Sequence, residues 1–251
     1  MKITSKKCFT EVEVEAIEKF RNRLTELNVL EDYKLRSDHF MLRYLRAADF
    51  DQDKAQKTIE NYLEVLDQYN TKEIMKEKFP KDFSDQFETY IGGSDRDGRP
   101  IAMIPHGGLW NIKKAIQRGE EDMFVRYVMK VATVFERAVL ERDSDYGILV
   151  CDVSNIAYGN YFHKRTLEVL LKLVNMVEDI SPGIIKKVYY VNAPKMLVAF
   201  FKTIRSLVTL NAEIFALDTN ETKWKASLSE FIPEHGICCH FGGTCTEYTI
   251  V

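Results

Sequence analysis

Residues 187–194 read Lys187-Val188-Tyr189-Tyr190-Val191-Asn192-Ala193-Pro194. Positions 188–191 form a short buried strand, and the organisation of the chain unfolds on either side of it. Downstream, residues 195–210 are apolar with helical spacing, 214–217 form a strand and 223–231 a last helix. Upstream, 164–178 is a helix carrying Leu167, Leu170, Leu171, Val174 and Val177. Before it, 146–153 is a nearly continuous apolar run that suits a buried strand. From about 120 to 141 a long amphipathic helix carries Phe124, Tyr127, Val128, Val131, Phe135 and Ala138. Residues 87–92 and 100–104 read as strands joined through Asp95-Arg96-Asp97-Gly98-Arg99, where Asp-Gly signals a hairpin turn. Strands that alternate with helices predict an α/β layer with a mixed, partly parallel sheet.

The first 80 residues have a different texture. Thr10 and Glu13 form a T-x-x-E capping box ahead of Val14, Ile17, Phe20, Leu24 and Leu27. Ser37 caps a second helix with Phe40, Met41, Tyr44 and Leu45, and a third follows Phe50 with Ala55, Ile59, Tyr62, Leu63 and Leu66 on one face. Phe79-Pro80 interrupts the pattern, so the expected division is a helical domain over 1–80 and an α/β domain over 81–251.

Composition narrows the function. Among 251 residues, 35 Lys and Arg stand against 38 Asp and Glu, a net charge of −3, which argues against nucleic-acid binding through bulk positive charge. Apolar runs such as 196–201 are about six residues, against the ~18–20 that span a bilayer. Met1 to Lys7 lead into no apolar core, so no secretory signal is expected. Five cysteines, an odd number with one in a buried strand, fit a reducing cytosol better than a disulfide scaffold.

Catalytic signatures do not emerge. The chain lacks G-x-S-x-G, the P-loop, G-x-G-x-x-G and H-E-x-x-H. His235, Cys238, Cys239, His240 and Cys245 have zinc-type side chains without a C-x-x-C pair, and are expected to pack as small thiols near the final turn rather than to hold a metal. Asp152 ends a buried strand, where it is expected to cap the following loop. No enzyme, cofactor or metal is expected.

Several stretches in order resemble the CRAL-TRIO lipid-binding family. These are Leu42-Arg43-Tyr44-Leu45-Arg46-Ala47 with Phe50 and Lys54-Ala55, then Asp97-Gly98-Arg99-Pro100, then Pro182 with the 187–194 strand ending in N-x-P, and Phe241-Gly242-Gly243-Thr244. The resemblance covers roughly residues 35–245. It implies a helical front domain and an α/β domain with an apolar pocket between sheet and helices, closed by a mobile gate helix after N-x-P. In that helix Met196, Leu197, Phe200, Phe201, Ile204, Leu207 and Val208 form an apolar face, and Lys195, Lys202 and Arg205 a basic rim. Such a helix can cover a cavity when closed and touch anionic lipid when open.

The family's phosphatidylinositol binders usually carry Glu after the Pro where this chain has Gly183. They carry Lys near the strand after the gate, where this chain has Glu213, and headgroup serines where it has Ala157 and Gly159. The gate sequence is also altered, to Arg205-Ser206-Leu207-Val208. The expectation is therefore a monomeric soluble carrier of one hydrophobic small molecule, such as a retinoid, tocopherol, sterol or fatty-acid derivative. Exchange would occur at an anionic membrane surface. The alternatives are a lipid-sensing or partner-recruiting module and a phospholipid transfer protein with atypical headgroup contacts. The expected pocket residues are Met103, Phe124, Tyr127, Val131, Phe135, Leu149, Cys151, Tyr161, Tyr189, Val191, Phe200, Ile204 and Leu207, with Tyr127, Tyr161 or Tyr189 orienting the cargo. Lys186, Lys187, Lys195, Lys202 and Arg205 are the expected membrane contacts.

Overall fold

The computed structural model describes residues 9–27, 34, 36–105, 111–155, 163–204, 207 and 211–251, with the side chains of 200–204 outside that description. Three helices open it: α1 (Glu11–Leu27), α2 (Asp38–Ala47) and α3 (Gln52–Gln68). The capping box is formed, with Thr10 N donating to Glu13 Oε2 at 2.9 Å and Glu13 N to Thr10 Oγ1 at 3.3 Å. Ser37 Oγ accepts from Phe40 N at 3.1 Å and starts α2. The apolar faces of these helices meet in one cluster of Ile17, Phe20, Leu24, Phe40, Tyr44, Ile59 and Tyr62. The same cluster takes in Met129 and Ile180 from later in the chain. The helical front end thus shares a core with the rest.

Two short helices follow, α4 (Thr71–Ile74) and α5 (Lys81–Phe87), and then α6 (Ile112–Gln117), α7 (Glu121–Glu141), α8 (Lys164–Ile180), α9 (Lys195–Ile204) and α10 (Glu221–Phe231). The expected strand over 87–92 begins only at Tyr90. Phe83 and Phe87 sit one helical turn apart and bury together, so residues 81–87 pair as a helix.

The sheet has six strands: β1 (Tyr90–Ser94), β2 (Pro100–Ile104), β3 (Gly147–Asp152), β4 (Ile185–Val191), β5 (Glu213–Ala216) and β6 (Tyr248–Ile250), in the order β5-β4-β3-β2-β1-β6. β2 to β5 are mutually parallel, while β1 runs antiparallel to both β2 and β6. β6 carries no sequence signature: it is three residues long, with one half-buried side chain and two exposed. A bulge interrupts β1 at Gly93, whose φ is +63°; a Cβ there would lie 2.1 Å from Gly236 O. Helices α7 and α8 cover one face of the sheet. Helix α10 and the turns Glu234–Gly236 and Cys239–Phe241 cover the other.

Candidate functional site

Alternation along the central strands separates two faces. Ala102 and Ile104 on β2, Leu149 on β3, and Val188 and Tyr190 on β4 look towards α7 and α8. Between them lies a cavity of about 220 Å³. Its walls are Phe124, Val128, Val131 and Phe135 from α7, Leu170, Leu173, Val174 and Val177 from α8, and Tyr62 and Leu66 from α3. Gly147 keeps the floor close beneath α7, since a Cβ there would meet the Phe135 ring at 2.3 Å.

At the end of the chamber bounded by α3 and the C-terminal half of α7 stands a buried polar cluster. Glu136 is 5% exposed. Its Oε1 accepts from Arg43 Nη2 at 3.0 Å and Ser181 Oγ at 2.8 Å, and its Oε2 accepts from Tyr62 OH at 2.9 Å. Lys34 Nζ lies 3.6 Å from Oε2 and also contacts Tyr62 OH. Burial pushes the Glu136 pKa up, but the Lys34 and Arg43 charges and the Ser181 and Tyr62 donors outweigh it, holding the carboxyl below its usual range. Beyond Tyr62, Leu66 and Thr133 a separate cleft of about 810 Å³ opens, lined by Lys34, Lys72 and Arg137 among others. It is the larger space, but its charged walls make it a poor store for hydrocarbon.

The N-x-P segment fixes the top of β4. Asn192 adopts φ +56°; its Nδ2 donates to Asp152 Oδ1 at 2.9 Å and its Oδ1 accepts from Trp224 Nε1 at 2.9 Å. Asp152 also accepts from Ser154 N at 2.8 Å, so this carboxylate joins two loops. Helix α9 then starts at Lys195 with Leu197 turned inward and Met196 51% exposed.

Four of the expected pocket residues, Phe124, Val131, Phe135 and Leu149, stand together in the cavity wall. Met103, Tyr189 and Val191 do not. They occupy the opposite strand parity and pack against Trp224, Leu228, Ile232 and Ile237 on the far face. A short run that is apolar on both faces carries no alternation to show which side is hollow. Tyr127 is also outside the wall, because its ring is buried among Phe79, Phe83 and Phe87 and its hydroxyl lies within hydrogen-bond reach of both Phe87 O and Val251 O, to one of which it donates. Cys151 shares the cavity-side parity but packs beyond the chamber with Val153, Ala193 and Leu197, and its thiol pKa is raised by burial and then by the Asp152 charge. Leu207 is 54% exposed. Tyr161 and Arg205 lie outside the described residues, as do the side chains of Phe200, Lys202 and Ile204.

Of the basic residues, Lys195 is exposed at the start of α9. Lys186 and Lys187 lie at the other end of β4, about 20 Å away for a strand of this length, and so do not extend the Lys195 surface. The α8 wall and the Glu136 cluster lie outside the set of residues expected from the sequence. The apolar spacing of α8 was visible, and Glu136 falling at helical spacing from Val125, Met129 and Ala132 was the available signal for the second. The cysteine-histidine segment divides: Cys238 is buried under the sheet, while Cys239 is exposed beside His240.

The α/β layer with its helical front end thus encloses an apolar chamber of the general kind that small-molecule sites use. The CRAL/TRIO domain profile matches residues 85–243 and the CRAL/TRIO N-terminal domain profile residues 16–61, so the chain belongs to the CRAL/TRIO family. Among similar proteins is the phosphatidylinositol/phosphatidylcholine transfer protein SFH12 of Arabidopsis thaliana. It is 26% identical over 246 residues, covering 93% of this chain and 44% of the relative. The chain thus spans less than half of that protein. The CRAL-TRIO domain-containing protein YKL091C of Saccharomyces cerevisiae is 25% identical over 258 residues, covering 94% of this chain and 79% of the relative. The crystal structure of Sfh5 superposes with a TM-score of 0.69 at 15% identity, over 96% of this chain and 90% of that one, a likeness of fold. No described helix is long and apolar enough to cross a membrane.

Proposed function

We propose that the chain is a carrier that holds one small hydrophobic molecule in the chamber between the sheet and helices α7 and α8. The observation that carries this reading is the chamber itself, a void of about 220 Å³ with walls of aliphatic and aromatic side chains. Apolar surface there gives affinity of about 25 cal/mol per Å² removed from water, and no catalytic group is required. The volume lies below the roughly 300–1,000 Å³ usual for ligand pockets, which favours one slim apolar body over two acyl chains. Names of relatives point to phospholipid transfer. Against a phosphoinositide here, Gly183 has no side chain and Glu213, paired in register with Lys187, is exposed and acidic. A buried phosphate without partners would be costly.

Helix α9 is the gate in this reading. It follows the Asn192 joint and exposes Met196 beside Lys195, and Lys202 and Arg205 come next in the sequence. Opening at an anionic surface would free the cargo, and the contact would be peripheral and reversible. The four described cysteines form no disulfide, which suits work in the cytosol. The test is transfer of labelled retinol, tocopherol or cholesterol between vesicles, with phosphatidylinositol and phosphatidylcholine as parallel arms. Protein-dependent transfer of an apolar cargo supports the proposal. Phosphatidylinositol moving at equal or greater rate than every apolar cargo overturns it.

A further inference from the structure

The polar corner of the chamber has a definite hydrogen-bond polarity. Three hydroxyl-bearing residues line the wall there, Tyr62, Thr133 and Ser181, and each hydroxyl has its proton committed elsewhere. Tyr62 OH and Ser181 Oγ both donate to Glu136, and Thr133 Oγ1 donates to Met129 O at 2.8 Å. A carboxylate and a carbonyl can only accept, so these assignments follow from the partners themselves. What Ser181 and Thr133 retain for a molecule in the chamber is acceptor lone pairs. Glu136, also in the wall, offers negative charge. The cations that balance it, Lys34 and Arg43, are not among the chamber-lining residues. Tyr190, the polar residue of β4 in the wall, stands towards the other end of that strand, near Leu197.

We infer that this corner selects the polar end of the cargo, and that it takes a hydrogen-bond donor, an alcohol, in preference to an ether, ester, aldehyde or carboxylate. A hydroxyl placed there gives its proton to Ser181 Oγ or Thr133 Oγ1. An ether oxygen faces only acceptors and loses its water without replacement. A carboxylate additionally meets the Glu136 charge across a medium of low dielectric. Because Lys34 and Arg43 keep Glu136 ionised, the preference holds across neutral pH. This inference rests on the carrier reading and narrows the chemistry of its cargo.

The experiment compares three probes that share one chain: 1-hexadecanol, its methyl ether, and palmitate. Binding is read by partition from neutral vesicles onto wild-type protein and onto Thr133→Val and Ser181→Ala. The expected result is at least about tenfold tighter binding of the alcohol than of either other probe, the scale of one hydrogen bond. That ratio should fall towards one in the two variants, chiefly through weaker binding of the alcohol. Thr133→Val keeps the test valid where Ser181→Ala disturbs folding, because the Thr133 hydroxyl bonds only within its own helix. Ether or palmitate binding within twofold of the alcohol in the wild type overturns the inference, as does a ratio that survives both variants. Failure of all three probes to bind contradicts the carrier reading, and the inference falls with it.

Discussion

Alternate residues of the same three strands build two unlike surfaces. On the far side of the sheet Ile101, Met103, Ile148, Val150, Tyr189 and Val191 meet Trp224, Leu228, Ile232 and Ile237, and Tyr189 stacks on Phe215 with ring centroids 4.9 Å apart. On the near side Ala102, Leu149 and Val188 face α7 and α8 across a void. Both sides are apolar, so hydrophobicity does not distinguish storage from support. What differs is how the side chains fill the space: the far side interdigitates with one helix and a turn-rich tail, whereas two long helices stand over smaller residues on the near side. A filled face fixes the strands, and that rigidity lets the other face stay open.

The comparison makes graded predictions. The largest effect belongs to the buried cluster that closes the hollow side. Glu136→Ala strands Arg43 and Lys34 without their counter-charge and should cost about 3–5 kcal/mol in urea unfolding. A loss below 1 kcal/mol would mean the cluster does not brace the chamber. The same carboxyl sets an acid limb. Its folded pKa is below the ordinary value, so the stability it contributes is present above the usual carboxylate range and is lost as pH falls through the folded pKa. Glu136→Gln should flatten that part of the pH–stability curve.

On the filled side Leu228→Ala should cost about 2–5 kcal/mol by opening a void in packed core, while the surviving folded protein keeps its cargo. On the hollow side Val131→Trp should do the reverse. The indole enters existing space, stability falls by less than about 2 kcal/mol, and cargo uptake is lost. If both variants change stability and uptake alike, the two faces are not functionally distinct. The smallest effect is at the surface. Lys195→Glu should weaken sedimentation with anionic vesicles about fivefold or slightly more, and less in higher salt. Equal binding to neutral and anionic vesicles would leave apolar contact by α9 as the route.

Much of the fold was legible because long amphipathic helices and buried strands leave periodic marks. The capping box at Thr10, the α7 stripe and the strand before Asn192 are all of this kind. Half of the site was not legible, for a reason built into parallel sheets. β4 is apolar at Val188, Tyr189, Tyr190 and Val191 alike, so its parity towards the cavity is set only by which helices cover which face. Tyr127 misled for a related reason. It lies on the apolar stripe of α7, yet a helix buries more than one side, and its ring turns to the α5 aromatics rather than to the chamber. The Glu136 cluster draws on residues 34, 43, 62, 136 and 181, which are brought together only by tertiary packing.

The most direct measurement is mass spectrometry of what the purified protein carries, on native chain and on Val131→Trp side by side. The account predicts close to one apolar lipid per wild-type chain, and a folded variant that is largely empty. An empty wild-type chamber, or equal occupancy in both proteins, would contradict it.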